Sequence, residues 1–446
     1  MLNIMIAAIQ FITIDPGHFH AALVQNRTYE GVSPDVLVYA PEGADLKSHL
    51  ALIDQFNTRA ENPTAWKENV YTGTDFLARF AADAAKRSAA ENASKLVILA
   101  GRNNVKPDYY LAAAEAGLNV LSDKPMAITA ADYLKLCDAA AVAKANGRLF
   151  GDIMTERNEI TTILQRELSR RGGVYGRQEV GTLDDPAVTK VSVHHFCKLV
   201  NGKPLRRPGW YYDTAQQGEA IVDVTTHLTD LVQWEVFPGQ TLKRSDVKML
   251  AARTWETPIT AADYETSTGL KAWPDFLKSA VDTNNVLQCK ANGEFTYALK
   301  GVHAKVSVEW HFMPPAGTGD THYSLMRGTN AELIIKQGAE QGFKPVLYVK
   351  LRPGADAAKT GVALEQALTE IGAKYPGVKA VPAEGVEGAT WKIDVPKKYD
   401  IGHEAHFSQV MRQFLSWMKA GQMPEMERRN LLVKYYTLAE AWRMSR

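Results

Sequence analysis

The first third of the chain repeats one pattern: a short, largely apolar run rich in β-branched residues, followed by a stretch of helical length. The runs are Phe11-Ile-Thr-Ile14, Val36-Leu-Val-Tyr39, Lys95-Leu-Val-Ile-Leu99, Leu118-Asn-Val-Leu121 and Arg148-Leu-Phe-Gly151. Helices are expected at His20 to Gln25, Pro107 to Ala116 and Thr129 to Ala145. Strands that are apolar on both faces must be covered on both faces, and helices between them supply the cover. The pattern therefore predicts a doubly wound parallel sheet, a class that takes ligands at the carboxyl ends of its strands.

Beyond residue 155 the pattern changes. A helix is expected over Glu159 to Arg170, with Ile160, Ile163, Leu164 and Leu168 on its apolar side, and another over Ala220 to Trp234. Strands are expected at Val188 to Phe196, Val286 to Lys290, Glu294 to Leu299, His303 to Phe312, Ala331 to Lys336 and Val346 to Leu351. Long strands with few helices fit a large, open, mostly antiparallel sheet. The stretch from Gly338 to Lys398 reads as surface excursions with one small helix, Val362 to Tyr375. Two further helices, His403 to Ala420 and Arg428 to Arg443, close the chain. The expected fold class is α/β plus α+β. Its domains are 1–153 and 154–446, with the C-terminal helices of 403–446 free to pack back on the first. No internal repeat is visible.

Composition narrows the function. Lys+Arg number 51 against 50 Asp+Glu, a net charge of +1 in 446 residues. Nucleic-acid and anionic-membrane binding rest on clustered Lys and Arg, so neither is expected. Cys137, Cys197 and Cys289 are too far apart to suggest a disulfide framework or a zinc ribbon. No run approaches the roughly 18 apolar residues of a membrane span. The apolar start, Met1 to Ile9, has no basic segment before it and runs into a strand, so a cleaved leader is not expected in the sequence as it stands; an end that replaces a natural leader is an equal reading. The cytoplasm is preferred to the periplasm on that ground.

Four segments carry candidate chemistry. Asp15-Pro16-Gly17-His18-Phe19-His20 follows the first strand, where a dinucleotide-binding fold places G-x-G-x-x-G. Only the middle position is glycine: Asp15 replaces the first and His20 the third. Gly17 would let the backbone approach a pyrophosphate; a plain Asp-Pro-Gly turn is the alternative. Glu42 is the carboxylate nearest the end of the second strand, where a ribose-reading acid belongs, or else a solvated loop acid. Asp123-Lys124-Pro125 puts a lysine at a strand's carboxyl end, where it can polarise a substrate hydroxyl or simply be solvated. Asp223 and His227, four apart on an expected helix, share a face and can position a substrate and exchange a proton. A capping acid with a core histidine is the alternative. Ligation of a metal by these two with His194 and His195 lacks a recognisable spacing, and no metal is expected.

In order, these pieces resemble the glucose–fructose oxidoreductase / inositol dehydrogenase (Gfo/Idh/MocA) family. Ala100-Gly101-Arg102-Asn103-Asn104 is similar to that family's Ala-Thr-Pro-Asn-His turn. Ala112 to Pro125, AAAEAGLNVLSDKP, is similar to its lysine-bearing segment, with Asp123 where Glu is usual. Gly218 to Trp234, GEAIVDVTTHLTDLVQW, is similar to its Asp/His segment.

The resemblance implies NAD or NADP on a Rossmann domain. It implies hydride transfer at a carbohydrate, glycoside or cyclitol carbon, and oligomerisation through the C-terminal sheet. Implied roles are hydroxyl orientation for Lys124, substrate positioning for Asp223 and general base for His227. Cofactor contacts are expected from Asp15, Gly17, His18, Phe19, His20, Glu42, Ala100, Gly101, Asn103, Asp123 and Lys124. Weaker substrate contacts are expected from Asp152, Arg157, Trp210 and Tyr211, the two aromatics being equally readable as core. Arg102 is a candidate for a 2′-phosphate. Two alternatives remain: a glycoside hydrolase that oxidises and re-reduces its sugar on bound NAD, and a sugar-binding protein on a retired scaffold, motivated by the lost glycines.

Overall fold

The computed structural model describes residues 8–200, 203–204, 206–384, 388 and 390–446. The reading of the chain's start as leaderless falls largely outside these residues. Two compact units emerge: Met1–Thr155 with Ala215–Gly218 and Glu404–Tyr435, and Glu156–Thr214 with Glu219–His403 and Tyr436–Arg446.

The first unit holds a parallel sheet of β1 (Gln10–Ile14), β2 (Asp35–Ala40), β3 (Lys67–Thr72), β4 (Lys95–Leu99), β5 (Asn119–Ser122) and β6 (Phe150–Asp152), in the order β3-β2-β1-β4-β5-β6. The order reverses between β1 and β4, and that switch opens the crevice where such sheets bind ligands. β3 was absent from the sequence expectation. Its Lys67-Glu-Asn-Val-Tyr-Thr72 is mostly exposed, as befits an edge strand, so no apolar run marks it. The core sets Phe11, Val36, Val38, Leu96 and Ile98 against Phe407, Met411, Phe414 and Leu415 from the helix His403–Ala420. The helix Ala130–Ala145 starts where expected because Thr129 and Asp132 cap each other reciprocally.

The second unit holds β7 (Val188–His195), β10 (Val247–Thr260), β11 (Val286–Leu299), β12 (Val302–His311), β13 (Thr321–Arg327), β14 (Ala331–Gln337), β15 (Val346–Leu351), β16 (Lys379–Pro382) and β17 (Trp391–Asp394). A separate ribbon pairs β8 (Leu199–Val200) with β9 (Lys203–Pro204). The large sheet runs β10-β11-β12-β7-β13-β14-β15-β17-β16 and is antiparallel except where β12 lies parallel to β7. Three expectations are corrected. The two strands expected between Val286 and Leu299 are one strand, bent by a register shift against β10. The small helix spans Ala357–Gly372, begun by Asp356, whose side chain accepts from the Lys359 N–H. The helix expected from Ala220 begins only at Thr225. Among the described residues no helix is long and apolar enough to cross a membrane.

Candidate active site

In the first unit the turns after β1 and β4 lock together. The His18 N–H donates to the Ala100 carbonyl at 3.0 Å. A Cβ on Gly101 would stand 2.4 Å from the Asp15 carbonyl oxygen and 3.1 Å from Gly17 N, so only glycine permits this approach. Asp15 takes φ +44°, a left-handed conformation that Asp tolerates better than most residues. Its carboxylate accepts from the Tyr109 hydroxyl at 3.0 Å. Burial pushes the Asp15 carboxyl up, against the opposing pull of Arg102 and of Tyr109.

The two histidines of the loop lie together, with ring centroids 4.1 Å apart, while Phe19 between them is exposed. His20 Nδ1 is 2.9 Å from Asp123 Oδ2, and His18 Nδ1 is 3.8 Å from the same oxygen. Burial alone would raise the Asp123 pKa. The His20 ring, with Lys106 and His18, outweighs it and holds the carboxyl well below the usual range.

Lys124 follows Asp123 at the carboxyl end of β5, and the Lys124–Pro125 bond is cis. Lys106, itself buried, donates from Nζ to the main-chain oxygens of Asp123 (2.8 Å) and Pro125 (3.1 Å), gripping the backbone on both sides of Lys124. Glu42 is exposed in the turn after β2. Arg102 lies 3.7 Å from Asp45, and its buried Nε has no hydrogen-bond partner among the described residues. Asn103 is occupied otherwise than expected. Its N–H and that of Asn104 donate to the Gln216 carbonyl (2.9 and 3.1 Å), and its side-chain amide donates to the Gln217 main-chain carbonyl (2.6 Å). Asp152 accepts from Lys434 at 2.8 Å and from the Tyr435 hydroxyl at 3.0 Å, so a substrate contact there would compete with an existing ion pair.

In the second unit Asp223 sits in the turn before the helix Thr225–Val236, and His227 in its first turn. Asp223 thus precedes the helix that the sequence expected to carry both residues. Thr226 N–H to Asp223 O (3.1 Å) and His227 N–H to Val224 O (3.0 Å) make a tight turn instead. The turn can rest on β11 because Gly293 has no side chain: a Cβ there would be 2.8 Å from Ile221.

The helix is then fixed by three clamps. Arg157 holds Asp230 with two bonds of 2.6 and 2.7 Å. Arg166 donates to the Trp234 carbonyl at 3.0 Å and lies 4.3 Å over its ring. Lys190 of β7, fully buried, donates to Glu235, to Ser324 Oγ at 2.7 Å and to Gln165 Oε1 at 3.2 Å. Burial pushes the Lys190 ammonium down and the Glu235 carboxyl up. Arg157 thus serves the helix, and Trp210 and Tyr211 are buried in an aromatic cluster with Phe196 and Trp310. His194 and His195 bind Asp320 at 3.2 and 3.0 Å.

Sequence reasoning missed Lys106, Tyr109, Lys190 and Glu235. Lys106 precedes Pro107, where the sequence analysis began a helix, and only the fold gives it two carbonyls to hold.

Two family models match: "Putative oxidoreductase C terminal domain" over residues 164–446 and "Oxidoreductase family, NAD-binding Rossmann fold" over residues 44–149. Among solved structures, a "putative oxidoreductase" from Parabacteroides merdae ATCC 43184 is 49% identical, with 98% of each chain covered and a TM-score of 0.93. Levoglucosan dehydrogenase in complex with NADH is 12% identical, with 98% of each chain covered and a TM-score of 0.56. KijD10, a 3-ketoreductase from Actinomadura kijaniata in complex with NADP and TDP-benzene, is 12% identical, with 97% of this chain and 96% of that one covered and a TM-score of 0.54. At such identities the last two show likeness of fold. Among curated proteins none matches. The chain belongs to the Gfo/Idh/MocA family of NAD-binding oxidoreductases, and its cofactor is NAD or NADP.

Proposed function

We propose that the protein is a dehydrogenase that moves a hydride between NAD(P) and a hydroxyl-bearing carbon of a carbohydrate, glycoside or cyclitol. The observation that carries the reading is Lys124, set at the carboxyl end of β5 with its backbone gripped by Lys106 on both sides. A cation held at that edge of a parallel sheet polarises a substrate hydroxyl beside the cofactor.

The turns after β1 and β4 fit the dinucleotide. The Asp15 carboxylate is bound by Tyr109, and the buried Arg102 Nε is a donor with no protein acceptor among the described residues. The backbone of Gly17 and the guanidinium of Arg102 would hold phosphate, and Glu42 the ribose. When bound, the nicotinamide accepts or returns the hydride. The remaining work falls to the protein: Lys124 orients the hydroxyl, Asp223 positions the ring that carries it, and His227 takes the hydroxyl proton as the carbonyl forms. Levoglucosan dehydrogenase, a neighbour in fold that acts as its name says, supports a sugar-type substrate.

The test is a panel of sugars, glycosides and cyclitols, with each cofactor, read by absorbance of the reduced nicotinamide. Turnover of at least one polyol is expected, and its loss in Lys124→Ala and His227→Ala. Release of free sugar from a glycoside without net NADH would transfer the reading to a redox-recycling hydrolase. Sugar binding that ignores the cofactor, with no turnover, would reduce the protein to a sugar-binding scaffold.

A further inference from the structure

We propose that His18, His20 and Asp123 form a binding site for a divalent transition-metal ion of the zinc class. The sequence suggested no metal, and it could not have suggested this one, because the third ligand lies more than a hundred positions from the first two. The fold brings them together. β1 delivers the His-x-His turn, β5 delivers Asp123, and both end at the same edge of the parallel sheet.

One ring nitrogen of His18, one of His20 and a carboxylate oxygen of Asp123 lie within 4.8 Å of one another; His18 Nδ1 also accepts from the His20 N–H at 3.4 Å, a long bond that a metal would displace. Around a tetrahedral zinc ion with bonds of about 2.0–2.2 Å, neighbouring ligand atoms stand roughly 3.3 Å apart. The measured separations from Asp123 Oδ2, 2.9 Å to His20 and 3.8 Å to His18, fall on either side of that figure. A shift of about half an ångström in each would bring both to that figure.

The donor set selects the ion. Two imidazoles and one carboxylate suit Zn²⁺ and its first-row neighbours. Ca²⁺ and Mg²⁺ prefer oxygen ligands throughout. The ligands are dry enough for strong bonds yet reachable: the side chains of His18, His20 and Asp123 are 14, 11 and 7% exposed. The Phe407 ring, 4.6 Å from that of His20, walls one side and limits how far the imidazole can turn. Lys106 is the cation that counts against the site. Its ammonium is directed to the main-chain oxygens of Asp123 and Pro125, which leaves the Asp123 carboxylate to the histidine side. Three protein ligands leave at least one coordination position for water or an anionic ligand.

The test uses the full chain, stripped with a chelator and then titrated with Zn²⁺ and, separately, Co²⁺. One zinc per chain is expected, and a Co²⁺ form with the visible bands of a four-coordinate N/O site. His18→Gln, the most accessible ligand, should weaken zinc by at least about tenfold, whereas His311→Gln, an exposed histidine outside the cluster, should not. X-ray absorption at the zinc edge needs no variant. It should show only N and O neighbours at about 2.0–2.2 Å, including imidazole. Absence of stoichiometric zinc, a sulfur shell, or zinc affinity unchanged in both His18→Gln and His20→Gln would overturn the site. None of these readouts depends on turnover, so the proposal stands or falls apart from the dehydrogenase reading.

Discussion

The two units hold their functional residues by different means. In the first, candidate side chains sit on turns at strand ends, and main-chain atoms set those turns: His18 N–H on the Ala100 carbonyl, Gly101 against Asp15, Lys106 on the carbonyls of Asp123 and Pro125. In the second, they sit on one helix and the turn before it, and side-chain ion pairs set the helix: Asp230 to Arg157, Glu235 to Lys190. A parallel sheet brings all its strand ends to one edge, so topology does much of the positioning. An open antiparallel sheet offers a helix a broad surface with no natural register. Buried charges that fit in only one place supply that register, as polar groups do in some coiled coils.

The contrast breaks first on activity. His227→Ala should lower kcat by about 10²–10⁴-fold, the range for a lost general base. Cofactor affinity in the same variant should stay within about twofold, since it loses only proton transfer. Arg102→Ala should do the reverse and raise the cofactor Kd, measured by titration of nicotinamide fluorescence. If His227→Ala abolished cofactor binding, or Arg102→Ala left it untouched, the division of labour between the units would be wrong.

Stability separates the units next. Lys190→Met leaves Glu235 buried and unpaired, and should cost about 3–5 kcal/mol. The double variant Lys190→Met/Glu235→Leu removes both charges and should recover most of that loss. Denaturant unfolding of the three proteins measures the difference. A double variant as unstable as the single one would show that the pair is not what fixes the helix. In the first unit, Gly101→Ala should cost about 1–3 kcal/mol, typical of overpacking. Its cofactor Kd should also rise, because the clash is with the backbone of the cofactor turn.

The same division governs what the sequence could reveal. β1, β2, β4 and β5 were legible because strands covered on both faces must be apolar throughout. The edge strand β3 was not, and neither was β10, where only Thr257 and Ile259 of Val247 to Thr260 are buried. Family resemblance marked Lys124, Asp223 and His227 as candidates. Their surroundings were not legible. Lys190 reads as a surface lysine in any single sequence, since its partner Glu235 is 45 residues away and Ser324 is 134 away. The helix start was misplaced for a similar reason. Residues 220–224 form turns and not helix, packed where Gly293 of a distant strand has no side chain, and nothing local in the sequence marks that contact.

The smallest effect sets two carboxylates of the first unit against each other. Asp123 is held below its ordinary pKa, so the unfolded chain takes up its proton first as pH falls. The stability it contributes is fully present above the unfolded value, near 3.9, and is lost as pH falls through the folded pKa. Asp15 is raised by burial, so the native state holds its proton while the unfolded chain has already released it. Stability at that position is therefore lost as pH rises through the window between the two values. In metal-free protein, Asp123→Asn should lower Tm at neutral pH by a few degrees, with the deficit narrowing in acid. Asp15→Asn should raise Tm at neutral pH, because Asn also tolerates the left-handed backbone and its amide oxygen can still accept from Tyr109. Thermal melts of both variants from neutral to acid pH give the signs directly. Shifts in the same direction would mean that the carboxylate at Asp15 is held by its neighbours and not opposed by its burial.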